Sequence, residues 1–130
     1  MLINADLTIF NRYIENRETK YQKSYIYDVH WEDNQGANIL QSGLVSADRS
    51  TVYIPFDSCK DYVPPSEFKT NHQGKITFQP EDVIVKGIVD DEFTTVKDFE
   101  KKYDFVRMVT TVDTRDYGSK RMQHWEVGAK

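Results

Sequence analysis

The chain has 130 residues, a length typical of one domain that buries its own core. Its formal charge of −4 lacks the excess of lysine and arginine that neutralises phosphates, so nucleic acid is not expected as a main partner. Its one cysteine, Cys59, excludes an internal disulfide, and no segment is apolar enough to predict a signal peptide or a membrane span. We therefore predict a single β-rich domain over residues 1–130, made and used in solution.

The first clear period lies in KYQKSYIYDVHW, residues 20–31, where large side chains alternate with polar ones. Five large residues share one parity: Tyr21, Tyr25, Tyr27, Val29 and Trp31. This alternation predicts a long, half-buried strand. The parity alone leaves open whether the stripe faces the core or a partner.

The sequence EDNQGAN, residues 32–38, is rich in residues that tolerate turn geometry, so we predict that the strand ends there. A second alternating strand follows in residues 46–56, and Pro55 indicates that it runs near a sheet edge or stops. Residues 57–75 contain two prolines, a glycine and no period, which predicts a long loop. Compact domains seldom keep such a loop without a use.

Residues 75–91 read as a buried strand interrupted by a bulge or tight bend at Gly87. The following segment predicts the one short helix, near residues 94–103, with Val96, Phe99 and Tyr103 on one face. Acidic residues precede this helix and lysines lie in its last turn, as the helix dipole favours.

The last third of the chain predicts two further strands. FVRMVTTVD, residues 105–113, alternates with Val106, Met108 and Val112 on one side. TRDYGS then predicts a turn, and MQHWEV predicts a final strand that we place at a sheet edge, where it is free to pair with a neighbouring subunit. The alternative, that Trp125 fills the barrel and the nearby charges are solvated, stays open.

Strands joined by short turns, with only one helix, exclude a parallel sheet wound with crossover helices. The predicted fold is therefore mainly β: a small antiparallel barrel or sandwich of about six strands.

Catalytic and metal-binding patterns are weak in this sequence. His30, His72 and His124 lie in three separate segments without the close ligand spacing of a metal site. Cys59 has only His72 as a local candidate base, and no phosphate-binding loop or hydrolase motif occurs. We therefore expect no enzymatic activity, no metal and no cofactor.

Two other functions stay open at this point. A small barrel could bind carbohydrate or nucleic acid through aromatic stacking, with Tyr21, Tyr25, Trp31 and Tyr53 as its platform. A small hydrolase would need His30 or His124 to meet a carboxylate in one pocket.

Several motifs resemble a family of small structural proteins from phages and prophages of Gram-positive bacteria. They are FQPEDVIVKGIVDD at residues 78–91 and TTVDTRDYGSKRMQHWEVGAK at residues 110–130, with LTIFNRY and STVYIPF nearer the start. The resemblance covers most of the chain and is weakest in the middle loop. Genes of that family tend to lie among head–tail connector and minor capsid genes.

The resemblance implies a subunit of the virion that assembles with portal, connector or tail proteins, with a homo-oligomeric ring as one possible arrangement. It implies a location in the host cytoplasm before assembly and in the virion afterwards. Seven residues of the loop and the C-terminal stretch are the candidate assembly interface: Tyr62, Phe68, Tyr117, Lys120, Arg121, His124 and Trp125. No catalytic residue is implied.

Overall fold

The computed structural model describes residues 3–36, 39–40, 43–44 and 47–130, with side chains described over residues 3–33 and 49–130. Six strands form a closed antiparallel barrel, in the order β1-β2-β5-β8-β7-β6, with β6 pairing back onto β1. The predicted mainly β fold is confirmed, as a barrel rather than a sandwich. The strands are β1 (Ala5–Glu15), β2 (Glu18–Gly36), β3 (Ile39–Leu40), β4 (Gly43–Leu44), β5 (Ala47–Pro55), β6 (Val83–Lys86), β7 (Val106–Arg115) and β8 (His124–Ala129). The helices are α1 (Pro65–Phe68) and α2 (Val96–Lys102).

The barrel interior is filled by side chains that alternate along each strand. Leu7 and Ile9 of β1 meet Val52 and Ile54 of β5 there, together with Trp31. A second, smaller core lies outside the wall, where α2 and the segment before it cover residues such as Phe10 and Val85. The middle of β1 is therefore buried on both faces.

The predicted stripe of β2 changes face at a bulge. The pairing of β1 with β2 shifts register between Ala5 and Leu7, and Asp28 has a φ of 64°. Ile26 and Val29 consequently both point into the core, whereas Tyr27 is 53% exposed. The prediction of one continuous parity was wrong here, because the extra residue of a bulge reverses the alternation.

The same correction applies to β7, whose register shifts between Val109 and Thr111. Val106 packs in the outer core and Val112 against the inner one, so they do not share a side. Met108 is exposed.

The last strand, β8, lies between β5 and β7 and pairs with both, so its placement at an edge was wrong. Trp125 pairs with Ile54 on one side and Thr114 on the other. Closure of the barrel explains this, because a closed sheet leaves no edge among its strands.

The predicted bend at Gly87 is confirmed, with a φ of 93° that favours glycine. The hydroxyl of Thr8 fixes it, donating to the Gly87 carbonyl at 2.8 Å and accepting from the Val89 amide at 2.9 Å. The strand before it is shorter than predicted, since β6 covers only Val83–Lys86.

The predicted helix is present as α2. Its first turn is capped by Thr95, whose hydroxyl accepts from the Asp98 amide at 3.1 Å. Phe99 is buried in the outer core, and Val96 and Tyr103 pack beside it on the predicted face.

The predicted loop at residues 57–75 contains the short helix α1 and packs firmly onto the barrel. The loop runs from the end of β5 toward the start of β6, and these two strand ends lie at the same end of the barrel. Cys59, Val63 and Phe68 are buried, and Tyr62 forms a bridge to Ile76. The segment therefore covers one end of the barrel.

A buried carboxylate, Asp82, joins the residues just before β6 to β1. Its Oδ1 accepts from the Arg12 amide at 2.8 Å and from the Gln79 side chain at 3.2 Å. Its Oδ2 accepts from the Asn11 side chain at 2.8 Å and from the Gln79 amide at 3.2 Å. Asp82 and Asn11 are both completely buried.

Candidate functional site

The hairpin of β2 and β5 continues past the barrel wall. Beyond the pair Asp33 and Ser50, residues 34–36 and 47–49 pair with each other and, among the described strands, with no third one, since the ladder of β8 reaches only Ser50. The short strands β3 and β4, which lie between β2 and β5 in the chain, pair with each other in a separate two-stranded sheet. We call residues 34–36, 39–40, 43–44 and 47–49 the arm.

The arm replaces part of a predicted turn. We predicted that the first strand ends within residues 32–38, but β2 continues to Gly36. Residues 37–38 of that prediction lie outside the described residues. Turn-tolerant side chains did not end the strand, because the facing residues of β5 supply a full ladder of backbone partners.

At the root of the arm, polar side chains of neighbouring strands interact at one end of the barrel. Asp33 Oδ1 accepts from the Trp31 indole nitrogen at 2.8 Å and from the Ser50 hydroxyl. Arg107 Nε donates to the Ser50 hydroxyl at 3.2 Å. Lys86 Nζ lies 4.0 Å from Asp33 Oδ2.

An aromatic ring lies beside both cations of this layer. The Phe105 ring centroid is 4.9 Å from Lys86 Nζ and 5.8 Å from the Arg107 guanidinium carbon, within the range of cation–π attraction. We call Asp33, Ser50, Lys86, Phe105 and Arg107 the barrel mouth. It lies at the opposite end from the segment 57–75.

The predicted interface residues divide into an exposed and a buried group. Tyr117 is 68% exposed, and Lys120 and Arg121 are exposed beside it in the turn between β7 and β8. Met122, which was not among the predicted residues, is 67% exposed in the same turn. We call residues 116–123 the exposed turn.

The other predicted residues lie inward and offer little surface to a partner. Trp125 and Phe68 are buried, and His124 is half-buried. Trp125 packs against Phe56 and Tyr62 with ring centroids 4.4 Å apart, and against Phe78 at 5.2 Å. These side chains join the covering segment to the barrel core.

Two histidines meet across a tyrosine on the outer wall. The Tyr53 ring centroid lies 5.6 Å from His30 and 5.7 Å from His124. His30 Nε2 contacts Glu32 Oε1 at 2.9 Å. Burial, and then the carboxylates of Glu32 and Glu126, raise the pKa of Tyr53. This row supplies a contact between histidine and carboxylate, one of the features that the hydrolase hypothesis requires.

The structure also describes Cys59 and His72, the candidate nucleophile and its candidate base. Cys59 is buried, which together with the charge of Asp61 raises the pKa of its thiol to about 12, so the thiolate is scarce at neutral pH. His72 stacks on Tyr13 with ring centroids 4.1 Å apart. Over residues 3–33 and 49–130, no group of three His, Cys, Asp or Glu side chains is arranged to hold a metal ion.

The four aromatic residues of the predicted stacking platform do not form one surface. Trp31 is inside the barrel, whereas Tyr21 packs outside it against Phe93 at 4.3 Å. The Tyr25 hydroxyl donates to the Val89 carbonyl at 3.1 Å, and Tyr53 lies among the histidines. The bulge in β2 places Trp31 on the opposite face from Tyr21 and Tyr25, and Tyr53 belongs to β5.

None of the described helices is both long and apolar enough to cross a membrane. A comparison with protein families matches residues 2–130 to DUF6751, a family of unknown function. Comparisons with curated proteins and with solved structures found no match.

Proposed function

The chain belongs to the DUF6751 family, whose description assigns no activity, and we propose that it is a structural subunit of a phage or prophage virion. The subunit is of the head–tail connector, head-closure or tail-completion type. It acts by protein contacts that join neighbouring virion proteins.

The arm is the observation that carries this proposal. A closed barrel has no free strand edge for a partner, so its contacts must come from side chains or from elements that leave the wall. The arm leaves the wall at one end of the barrel, and the exposed turn lies at the other. A subunit with contact elements at both ends can bridge two neighbours.

The exposed turn supplies side chains suited to a protein interface. Tyr117 and Met122 present apolar surface, and Lys120 and Arg121 add positive charge. Arg121 also lines a groove with Ile3 and Pro55. Aromatic residues, methionine and arginine are enriched at such interfaces.

The first test is capture of virion proteins from host cells in which the phage has been induced. The tagged chain is expected to recover portal, connector or tail proteins, identified by mass spectrometry. Two variants should lose them: Tyr117→Ser with Met122→Ser, and a chain in which residues 37–46 are replaced by an Asn-Gly turn joining Gly36 to Ala47. Lys97→Ser, on the exposed side of α2, is the matched control.

Both variants leave the barrel strands intact, so loss of capture is attributable to the contact and not to unfolding. Circular dichroism of each variant checks this. A folded parent chain that recovers no virion protein from cells assembling virions would contradict the proposal.

We predict that the purified chain is monomeric or only weakly associated. The exposed apolar residues of the turn are few, and a contact of that size does not offset the translational and rotational freedom lost on association. Light scattering at several concentrations measures this. A stable large ring formed by the chain alone would contradict the prediction.

The alternative of a ligand-binding barrel also remains a proposal. It would need a site other than the predicted aromatic platform, since those four side chains lie on separate surfaces. A saturable response to a glycan or an oligonucleotide, with no capture of virion proteins, would favour it.

A further inference from the structure

The barrel mouth carries more positive than negative charge in a partly enclosed position. Lys86 and Arg107 face one carboxylate, Asp33, among the described side chains of this layer. The side chains of Lys86 and Asp33 are only 33% and 20% exposed. Partial burial weakens the screening of charge by water, so the excess positive charge attracts an anion more strongly than a surface lysine would.

Asp33 is already occupied by its neighbours and does not neutralise both cations. The Trp31 indole and the Ser50 hydroxyl bond its Oδ1, and Lys86 lies at the edge of ion-pair range from Oδ2. Arg107 reaches the serine hydroxyl and not the carboxylate.

The Arg107 guanidinium is held in place with donors to spare. Its Nε donates to Ser50 and its Nη1 to the Val106 carbonyl at 3.1 Å, which fixes the plane of the group. In the part of the chain that the structure describes, Nη2 has no hydrogen-bond partner. An oriented guanidinium with free donors matches the geometry of a carboxylate.

The mouth also offers an apolar surface beside these donors. The Phe105 ring lies next to both cations and provides a face against which an apolar body can pack. Ligand sites in small barrels commonly form at the mouth, from apolar surface and a few polar groups. The one excess positive charge of the barrel mouth matches a ligand with one negative charge.

We propose that the barrel mouth binds a single carboxylate group, held by Lys86 and Arg107 with its apolar body against Phe105. The carboxylate belongs either to a small organic acid or to an acidic side chain of a peptide. This inference is independent of the proposed virion role.

The two tryptophans provide a built-in readout for a titration of the full chain, labelled with ¹⁵N, by nuclear magnetic resonance. The Trp31 indole N–H bonds Asp33 in the mouth, whereas Trp125 lies at the covered end against Tyr62. Sodium benzoate at constant ionic strength should shift the Trp31 indole signal saturably and leave the Trp125 signal in place. Benzamide, which lacks the charge, should shift neither.

Variants of the two cations test the assignment. Lys86→Met and Arg107→Met should each weaken benzoate binding by about tenfold, the effect expected for one charge-assisted bond. Lys86→Arg keeps the charge and should retain binding. Lys97→Met removes an exposed lysine of α2 and should leave the affinity unchanged.

A second titration distinguishes the two sources of the carboxylate. A capped Gly-Glu-Gly peptide carries only a side-chain carboxylate, and the matching Gly-Gln-Gly peptide carries none. Response to benzoate alone supports a small acid, and response to the glutamate peptide supports an acidic side chain. The proposal would be overturned if neither benzoate nor the glutamate peptide shifted the Trp31 signal. It would also be overturned if benzoate shifted this signal in Lys86→Met as much as in the parent chain, since this variant preserves side-chain length and packing over Phe105.

Discussion

Replacing Asp82 by alanine is expected to lower the free energy of unfolding by about 3–5 kcal/mol. The carboxylate accepts four hydrogen bonds in a completely buried position, from Arg12, Asn11 and twice from Gln79. Alanine would leave these donors without partners and create a cavity between β1 and the residues just before β6. Unfolding by urea, followed by circular dichroism, measures the change.

Glu100→Ala is the matched control, because this carboxylate is exposed on α2. Its effect should stay within about 0.5 kcal/mol. If Asp82→Ala lowered the free energy of unfolding by no more than this control does, water or a shifted backbone would be replacing the hydrogen-bond network.

The pH dependence of stability provides a second test of Asp82. Burial raises its pKa to about 6, although the hydrogen bonds from Arg12, Asn11 and Gln79 lower it. An aspartate in the unfolded chain ionises near pH ~4, so the folded protein holds this proton more tightly than the unfolded chain does. Protonation therefore stabilises the fold, and this contribution is lost as the pH rises from about 4 through about 6.

Compared with Asp82→Asn, which does not titrate, the parent chain should lose about 3 kcal/mol of stability between pH ~4 and pH ~7. Urea midpoints of the two proteins across this range measure the difference. If the parent chain instead gained stability relative to Asp82→Asn as the pH rose, the hydrogen bonds would outweigh burial and the pKa would be lowered.

Replacing Trp125 by alanine is expected to cost about 3–5 kcal/mol of stability. The indole fills the space between the rings of Phe56, Tyr62 and Phe78, which join the covering segment to the barrel. Its removal opens a cavity that these rings cannot fill without leaving their own contacts. Trp125→Phe keeps part of the volume and should cost less.

Urea unfolding of both variants, followed by circular dichroism, measures these losses. A cost below about 1 kcal/mol for alanine would mean that Trp125 is not a core residue, since large buried side chains cost more than this. Trp125 would then again be a candidate interface residue.

The sequence predicts β2, β5, β6, β7, β8, α2 and the bend at Gly87, because each has a local chemical signal, whereas β1 was assigned to no element. Alternation, a capping threonine and a glycine at positive φ are all set by neighbouring residues. The face of each side chain was harder to predict. The bulge at Asp28 arises from pairing with β1, and the alternation of large and polar residues in the sequence continues through it unchanged.

The candidate sites depend on contacts between distant segments. Asp33, Ser50, Lys86 and Arg107 belong to four strands, and each is an ordinary polar residue in its own sequence context. Only closure of the barrel brings them to one end. The same closure buries Trp125, for which the sequence left burial in the barrel and a place at an interface both open.

The position of β8 also determines when the barrel can form. Its six residues, His124–Ala129, lie between β5 and β7, whose ladders they complete. Until this last strand leaves the ribosome, β5 and β7 have no partner on those sides and the wall stays open. Closure therefore follows synthesis of these residues, and the many contacts between remote segments make it slow compared with the folding of a helical domain.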